Sequence, residues 1–257
     1  MPGPGPIPLQ SEWIYGPITS RRFGRSLGVN LLPTERKVCN MECVYCQYAS
    51  GDPQGAFPEP ERVFDALDGV LRHAGPLDAI TIAGNGEPTL HPRFALVVAV
   101  IARLRDELAP GTPLCLLSNG TRLEEPGVRL GLERIERPFF KLDAACPESF
   151  SQVNRPRGSG LPAVLSGLQS LPRLGLQAMF FTGRVDNTSE DALEAWLDLA
   201  EALGPQEVHL TTIDRGTQTP GLRPLSARRL EDLATRARER GLPAQAYPCR
   251  DEARFHG

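Results

Sequence analysis

Lysine is almost missing from this chain: Lys37 and Lys141 are the only two among 28 basic side chains, and the rest are arginines. We read that first as a bias of base composition. No apolar run approaches the roughly 18 residues that a membrane-spanning helix needs, and Met1-Pro-Gly-Pro-Gly-Pro lacks a basic stretch leading into an apolar one. Export and membrane insertion are therefore not expected. An excess of positive charge is also lacking, because the net charge is −3, so any RNA contact would need a local patch. Six cysteines in 257 residues do not make the disulfide framework of a small secreted domain, and a reducing, cytoplasmic setting fits better. No second Cys-x-x-Cys pair follows at zinc-ribbon distance, which excludes an ordinary structural zinc site.

The chain does contain an ordinary globular composition, 40% hydrophobic and 23% charged, enough for one large core. The sequence predicts an N-terminal extension over 1–26, a core domain over 27–247 and a tail over 248–257. Leu27–Leu32 reads as a first strand ending at Pro33, and a Gly/Pro-rich linker spans 50–60. Short apolar strands then alternate with helices: helix 61–74, strand 77–83, helix 93–108, strand 113–118, helix 123–132, strand 138–143. Helix 160–171, strand 174–181, helix 189–203, strand 207–213 and helix 226–240 follow. Six such units mean an α/β fold with a parallel sheet, and only 244–247 remains as an extra strand, too little for a full eight-unit barrel.

Three thiols, Cys39, Cys43 and Cys46, lie within one short loop. Three thiolates can hold a four-iron cluster and leave one iron open to a non-protein ligand. The other chemistry-bearing residues fall at strand ends, where parallel β/α folds place their sites. Gly84-Asn85-Gly86-Glu87 is a turn in which glycine lets backbone approach a ligand while a carboxylate offers acceptors; it also reads as a plain turn. Ser118 and Asn119 end one strand and Asp143 another, with a tight turn and a helix cap as the alternatives. His209 and Thr211 alternate with apolar neighbours, as do Gln177 and Met179, which points them to the lumen; a core histidine is the other reading of His209. Arg21, Arg22 and Arg25 are either an anion site or a solvated turn. His91 and Cys115 read as structural. Cys146 and Cys249 are either hydrogen-atom donors or bystanders. Arg228, Arg229, Arg236 and Arg240 on the last helix read as a basic stripe for RNA, although the intervening Glu231, Asp232 and Glu239 argue for a solvated helix face instead.

Cys39, Cys43, Tyr45 and Cys46 resemble the Cys-x3-Cys-x-aromatic-Cys loop of the radical S-adenosylmethionine (radical SAM) superfamily. That resemblance implies an open partial (β/α)6 barrel, one [4Fe–4S] cluster on Cys39, Cys43 and Cys46, and S-adenosylmethionine as the second cofactor. It assigns Gly84, Asn85, Gly86 and Glu87 to the methionine amino group, Ser118, Asn119 and Asp143 to the ribose, and Tyr45 to the adenine pocket. The implied activity is reductive cleavage of S-adenosylmethionine to a 5′-deoxyadenosyl radical that abstracts a substrate hydrogen, with a flavodoxin- or ferredoxin-type protein as electron donor. With Lys141-Leu-Asp, Asn154-Arg-Pro and Thr212-Ile-Asp-Arg added, residues 13–247 are similar to small iron–sulfur oxidoreductases grouped with the tRNA wyosine-base synthases. A tRNA-modifying enzyme and a non-catalytic cluster-bearing RNA-binding or sensor protein are thus the alternatives. No cysteine precedes Cys39, where wyosine synthases hold a second cluster.

Overall fold

The computed structural model describes residues 5–51 and 56–255. Residues 1–4, 52–55 of the expected linker and 256–257 of the expected tail lie outside the described residues. The chain divides into two compact units, one of residues 9–40 and 51–139 and the other of residues 1–8, 41–50 and 140–257.

In the first unit the strands β1 (Ile14–Ser20), β2 (Gly24–Val29), β3 (Ala79–Ile82) and β4 (Leu114–Ser118) neighbour one another in that order. β2 pairs with β3 and β3 with β4 in parallel, with Leu27 beside Ile80 and Ile80 beside Leu114. Helices α1 (Pro60–Leu71) and α2 (Phe94–Leu108) connect β2 to β3 and β3 to β4, and α3 (Pro126–Leu132) follows β4. Each of α1 and α3 starts on a proline, whose missing N–H costs nothing in the first turn. Val63, Leu67 and Leu71 recur at helical spacing and bury the inner face of α1. Cys115 packs with Phe23, Ala79 and Phe139 and is wholly buried, the core role expected of it.

β1 pairs antiparallel with β2, an element that the sequence reading left inside the extension. Its Tyr15 ring lies over Gly28, where an added Cβ would meet ring carbon at 2.1 Å, so only glycine admits this pairing. β2 also begins and ends three residues earlier than the Leu27–Leu32 expected. Asn30 stops it: its side chain accepts from Leu32 N at 3.2 Å and donates to Leu32 O at 3.0 Å, taking the groups that a ladder would need. The anion site considered at Arg21, Arg22 and Arg25 does not form beside the cysteine loop. Arg25 sits at the start of β2, opposite the carboxyl ends, and its guanidinium donates to Ala74 O at 2.7 Å and Pro76 O at 2.5 Å.

β5 (Arg137–Lys141) leads into the second unit, which holds α4 (Pro147–Asn154), α5 (Leu161–Gln169), β6 (Gly175–Met179), β7 (Phe181–Gly183) and α6 (Glu190–Leu203). β8 (Glu207–Thr211), β9 (Leu222–Pro224), α7 (Ala227–Glu239) and β10 (Ala244–Tyr247) complete it. β6, β8 and β10 run parallel, with Gln177 beside His209 and His209 beside Gln245. β7 and β9 form a separate antiparallel pair. Ser189 and Ser226 cap α6 and α7 by accepting from Ala192 N and Arg229 N, each worth about 1 kcal/mol.

The basic stripe expected on α7 is largely neutralised. Arg236 pairs with Glu190 and Glu194, and Arg240 with Glu194 and Asp198, all on α6. Arg229 donates to Thr188 O at 3.2 Å, and Arg228 lies 4.0 Å from Asp232. Among the described residues no helix is long and apolar enough to cross a membrane.

Candidate functional site

Each unit carries part of the residues singled out in the sequence. In the first, the segment entering the cysteine loop is laced to the Gly84–Glu87 turn. Val38 N donates to Asn85 O and Glu87 N to Val38 O, both at 2.9 Å. Gly86 makes that approach possible: its φ is +144°, and an added Cβ would fall 1.9 Å from Val38 O. Asn85 is fully buried, and its side chain is taken up by Gln10 N and O and by Pro33 O at 2.8 to 3.0 Å. It fastens two chain segments to the turn. Asn30 Oδ1 also accepts Asn85 N at 3.2 Å.

Glu87 is buried, and its carboxylate collects donors from two strand ends. Oε1 accepts Thr89 N at 3.0 Å, Thr89 Oγ1 at 2.5 Å and Ser118 Oγ at 2.8 Å, while Oε2 accepts Asn119 N at 2.6 Å. Burial pushes its pKa up, and these hydrogen bonds pull it back. Oε1 is filled, and Oε2 keeps one lone pair. Asn119 reaches on to the cysteine loop: its Nδ2 donates to Asn40 Oδ1 at 2.8 Å and lies 3.9 Å from Cys39 Sγ.

In the second unit, residues 41–46 run between two backbone rails. Glu42 N donates to Arg155 O and Val44 N to Val153 O on one side; Gln218 N donates to Cys46 O and Thr219 N to Val44 O on the other. Asp143, 1% exposed, anchors the loop's aromatic. Its Oδ2 accepts the Tyr45 hydroxyl and Asn154 Nδ2, the latter at 2.7 Å, and its Oδ1 accepts Met179 N at 2.8 Å and pairs with Lys141 Nζ at 3.1 Å. All four lone-pair directions of Asp143 are used, so it positions Tyr45 and Asn154 and has no free acceptor for a ribose hydroxyl. Lys141 Nζ also stands 4.9 Å from the centre of the Tyr45 ring.

Asn154 belongs to the Asn154-Arg-Pro motif, and α4, which ends on it, has no counterpart among the helices that the sequence predicts. Its Nδ2 lies 3.5 Å from Cys43 Sγ. Burial pushes the Cys43 thiol up to about 11, the Asp143 carboxylate adds to this, and the bonds from Asn154 and Tyr45 oppose it. Such a thiol gives up its proton readily only to a cation that compensates the thiolate, as bound metal does. Asn154 Oδ1 and Gln177 Nε2 are buried without a hydrogen-bond partner among the described residues, leaving capacity for a polar ligand. Among the described residues no three His, Cys, Asp or Glu side chains converge on one metal ion. The fit to an iron–sulfur cluster therefore rests on the donors, three thiols on one loop, two of them facing side-chain amides.

Of the remaining candidates, Thr211 Oγ1 donates to Ala178 O at 2.8 Å and lies 3.7 Å from Met179 Sδ. His209 is fully buried with Nε2 2.7 Å from Glu207 Oε1 and its ring against Tyr247, which favours the core reading. His91 is structural as expected: Nε2 donates to Pro58 O at 2.9 Å and Nδ1 accepts Arg93 N at 3.1 Å. Cys146 is exposed at the start of α4, whereas Cys249 is buried in a cluster with Val44, Phe181 and Tyr45.

The family model described as the radical SAM superfamily matches residues 37–200. A UPF0026 protein of Helicobacter pylori (strain J99) is 32% identical over 210 residues, covering 79% of this chain and 66% of that protein. Another, of Synechocystis sp. (strain PCC 6803), is 32% identical over 209 residues, 77% of this chain and 74% of the relative. The chain thus spans just under two thirds of the Helicobacter protein. Among solved structures, TYW1 with a lysine–pyruvate adduct bound is similar at a TM-score of 0.59 and 17% identity, over 84% of this chain and 73% of that one. SuiB of Streptococcus suis bound to precursor peptide SuiA matches at a TM-score of 0.67 and 11% identity, over 87% and 49%. At such identities the likeness shows the fold, which is the α/β, open partial (β/α)6 barrel expected from the sequence.

Proposed function

The chain belongs to the radical SAM superfamily, and from that premise we propose an enzyme that holds one [4Fe–4S] cluster on Cys39, Cys43 and Cys46 and binds S-adenosylmethionine beside it. Enzymes of this superfamily use both cofactors and generally need an electron donor. When bound, the reduced cluster supplies the electron that splits S-adenosylmethionine, and the 5′-deoxyadenosyl radical so released takes a hydrogen atom from the substrate. The chain's own work is to hold these pieces in line and keep water out.

One observation carries the reading: the Gly84–Glu87 turn is bonded backbone to backbone to Val38, the residue before Cys39. A ligand amino group at this turn would lie next to the loop that holds the open iron. The remaining acceptor of Glu87 Oε2 suits an ammonium; Asn119 N holds that oxygen in place, while Ser118 fixes the carboxylate through Oε1. Tyr45, steadied by Asp143, offers a ring to the adenine. We place the enzyme in the cytoplasm with a flavodoxin- or ferredoxin-type donor.

Anaerobically reconstituted protein given dithionite and S-adenosylmethionine should release 5′-deoxyadenosine and methionine and bind about four irons per chain. Joint replacement of Cys39, Cys43 and Cys46 by alanine should abolish both, and joint replacement of Cys115, Cys146 and Cys249 should leave iron unchanged. Absence of 5′-deoxyadenosine from iron-loaded protein overturns the reading, as does a cluster that survives in the first triple variant.

A second reading, a carbonyl substrate engaged by Lys141, is favoured by that residue's place at the end of β5, next to Tyr45 and Asp143, and by the similarity to TYW1 bearing its lysine–pyruvate adduct. Cyanoborohydride with labelled pyruvate would mark Lys141 in wild type and not in Lys141→Arg. No label at Lys141 removes this reading.

A further inference from the structure

The rails that hold the cysteine loop end in arginines. On one side Arg155 gives its carbonyl to Glu42 N, while its own side chain is exposed and has no acidic partner among the described residues. Two residues on, Arg157 lies 3.4 Å from Glu42 and is 42% exposed. On the other side Arg215 is exposed and donates to Gln47 Oε1 at 3.1 Å, beside Cys46. Arg250 adds a fourth positive charge next to Asp214, which it pairs with at 3.4 Å. Asp251 and Glu252 follow Arg250, so the excess of positive charge around the loop lies on Arg155, Arg157 and Arg215, with Glu42 paired to Arg157, in a chain whose net charge is −3. These three arginines touch 42–47 directly, Arg155 through its backbone and Arg157 and Arg215 through their side chains, and their sign opposes that of the molecule as a whole.

Arg155 is also the one residue other than glycine with positive φ among the described residues, at +46°. That conformation turns the chain out of α4 so that its carbonyl meets the loop while the side chain faces solvent. We propose that Arg155, Arg157 and Arg215 form the docking face for an acidic one-electron carrier protein, which delivers its electron to the cluster through the 42–47 loop. The proposal rests on the cluster assignment above and deepens it. In the transfer the carrier loses one electron and the cluster gains one, and no bond is made or broken. Opposed charges at the border of an interface act mainly on the rate of encounter and are screened by salt.

The test uses cluster-loaded protein and a purified flavodoxin. Binding is followed by calorimetry, and cluster reduction by loss of visible absorbance, once with reduced flavodoxin and once with dithionite. Joint Arg155→Glu, Arg157→Glu and Arg215→Glu should weaken flavodoxin binding about tenfold or more at low salt and slow reduction by flavodoxin to match. The difference should shrink in about 0.5 M salt, where screening is nearly complete. Dithionite, which needs no docking, should bleach this variant as fast as wild type, and this separates lost docking from lost folding. The joint Arg→Lys variant should behave as wild type. Flavodoxin binding and reduction unchanged by the three glutamates overturn the proposal. So does a result in which the glutamates abolish binding of transfer RNA yet leave flavodoxin untouched. A wild-type chain that dithionite cannot bleach removes the cluster reading, and the docking face with it.

Discussion

Asn154 Nδ2 stands 3.5 Å from Cys43 Sγ and 2.7 Å from Asp143 Oδ2, so a single amide links Cys43, one of the three proposed cluster ligands, to the carboxylate that holds Tyr45. Replacing Asn154 with alanine removes the dipole facing the thiolate and leaves Asp143 one donor short. Loss of such a supporting partner typically costs about 10- to 100-fold in metal affinity. A redox titration of Asn154→Ala should also give a more negative midpoint than wild type, because a hydrogen bond to sulfur stabilises the reduced cluster. An unchanged midpoint together with unchanged iron retention would show that the contact does not bear on the cluster.

Glu87 joins the turn to the end of β4, through Ser118 Oγ at 2.8 Å and Asn119 N at 2.6 Å. Glu87→Gln puts an NH2 group where one of these donors must be accepted. It should lower unfolding stability by about 1.5–3 kcal/mol, the range for a hydrogen bond to a charged group. Because Glu87 is assigned to the ligand and not to iron, affinity for S-adenosylmethionine should fall more than iron content. Equal loss of both would sink the assignment.

Gly86→Ala places a Cβ 1.9 Å from Val38 O at a φ of +144°. Strain at such a backbone position is on the order of 1–3 kcal/mol, and the clash adds to it. Denaturant unfolding should show a lower midpoint, and ligand affinity should drop as the turn separates from the cysteine loop. Gly127→Ala, in α3 where nothing lies within 4 Å of the added Cβ, is the control and should lower neither, since alanine favours a helix over glycine.

His91 makes stability depend on pH. Burial holds its pKa below the ordinary value, and Nδ1 must stay unprotonated to accept Arg93 N. A depressed pKa in the folded state means that the contribution is complete above the unfolded pKa, about 6.5. It is lost as pH falls through the lower folded value. Melting curves of wild type should therefore decline, as pH falls below about 6.5, more steeply than those of His91→Gln. Parallel curves would show that the histidine carries no such linkage.

Much of this was legible in the sequence, for local reasons. The spacing of Cys39, Cys43 and Cys46 is the local feature on which the proposed cluster rests, and apolar periodicity placed the strands and helices to within a few residues. Gly84-Asn85-Gly86-Glu87 was legible as a turn because its glycines and carboxylate are adjacent in sequence. Other features were decided by contacts between residues distant in sequence. The strand β1 exists because Tyr15 can lie over Gly28, a fit no periodicity records. Arg25 was drawn away from any ligand by carbonyls about fifty residues on, and Arg236 and Arg240 were neutralised by acids on α6. Asp143 at a strand end looked like a ligand contact. Only the fold brings Tyr45, Lys141, Asn154 and Met179 N to it and so uses up its acceptors. The sequence determined which donors and acceptors the chain carries, whereas the tertiary structure decided which of them meet. A buried hydrogen bond forms wherever packing ends a polar group's access to water, and that depends on residues far along the chain.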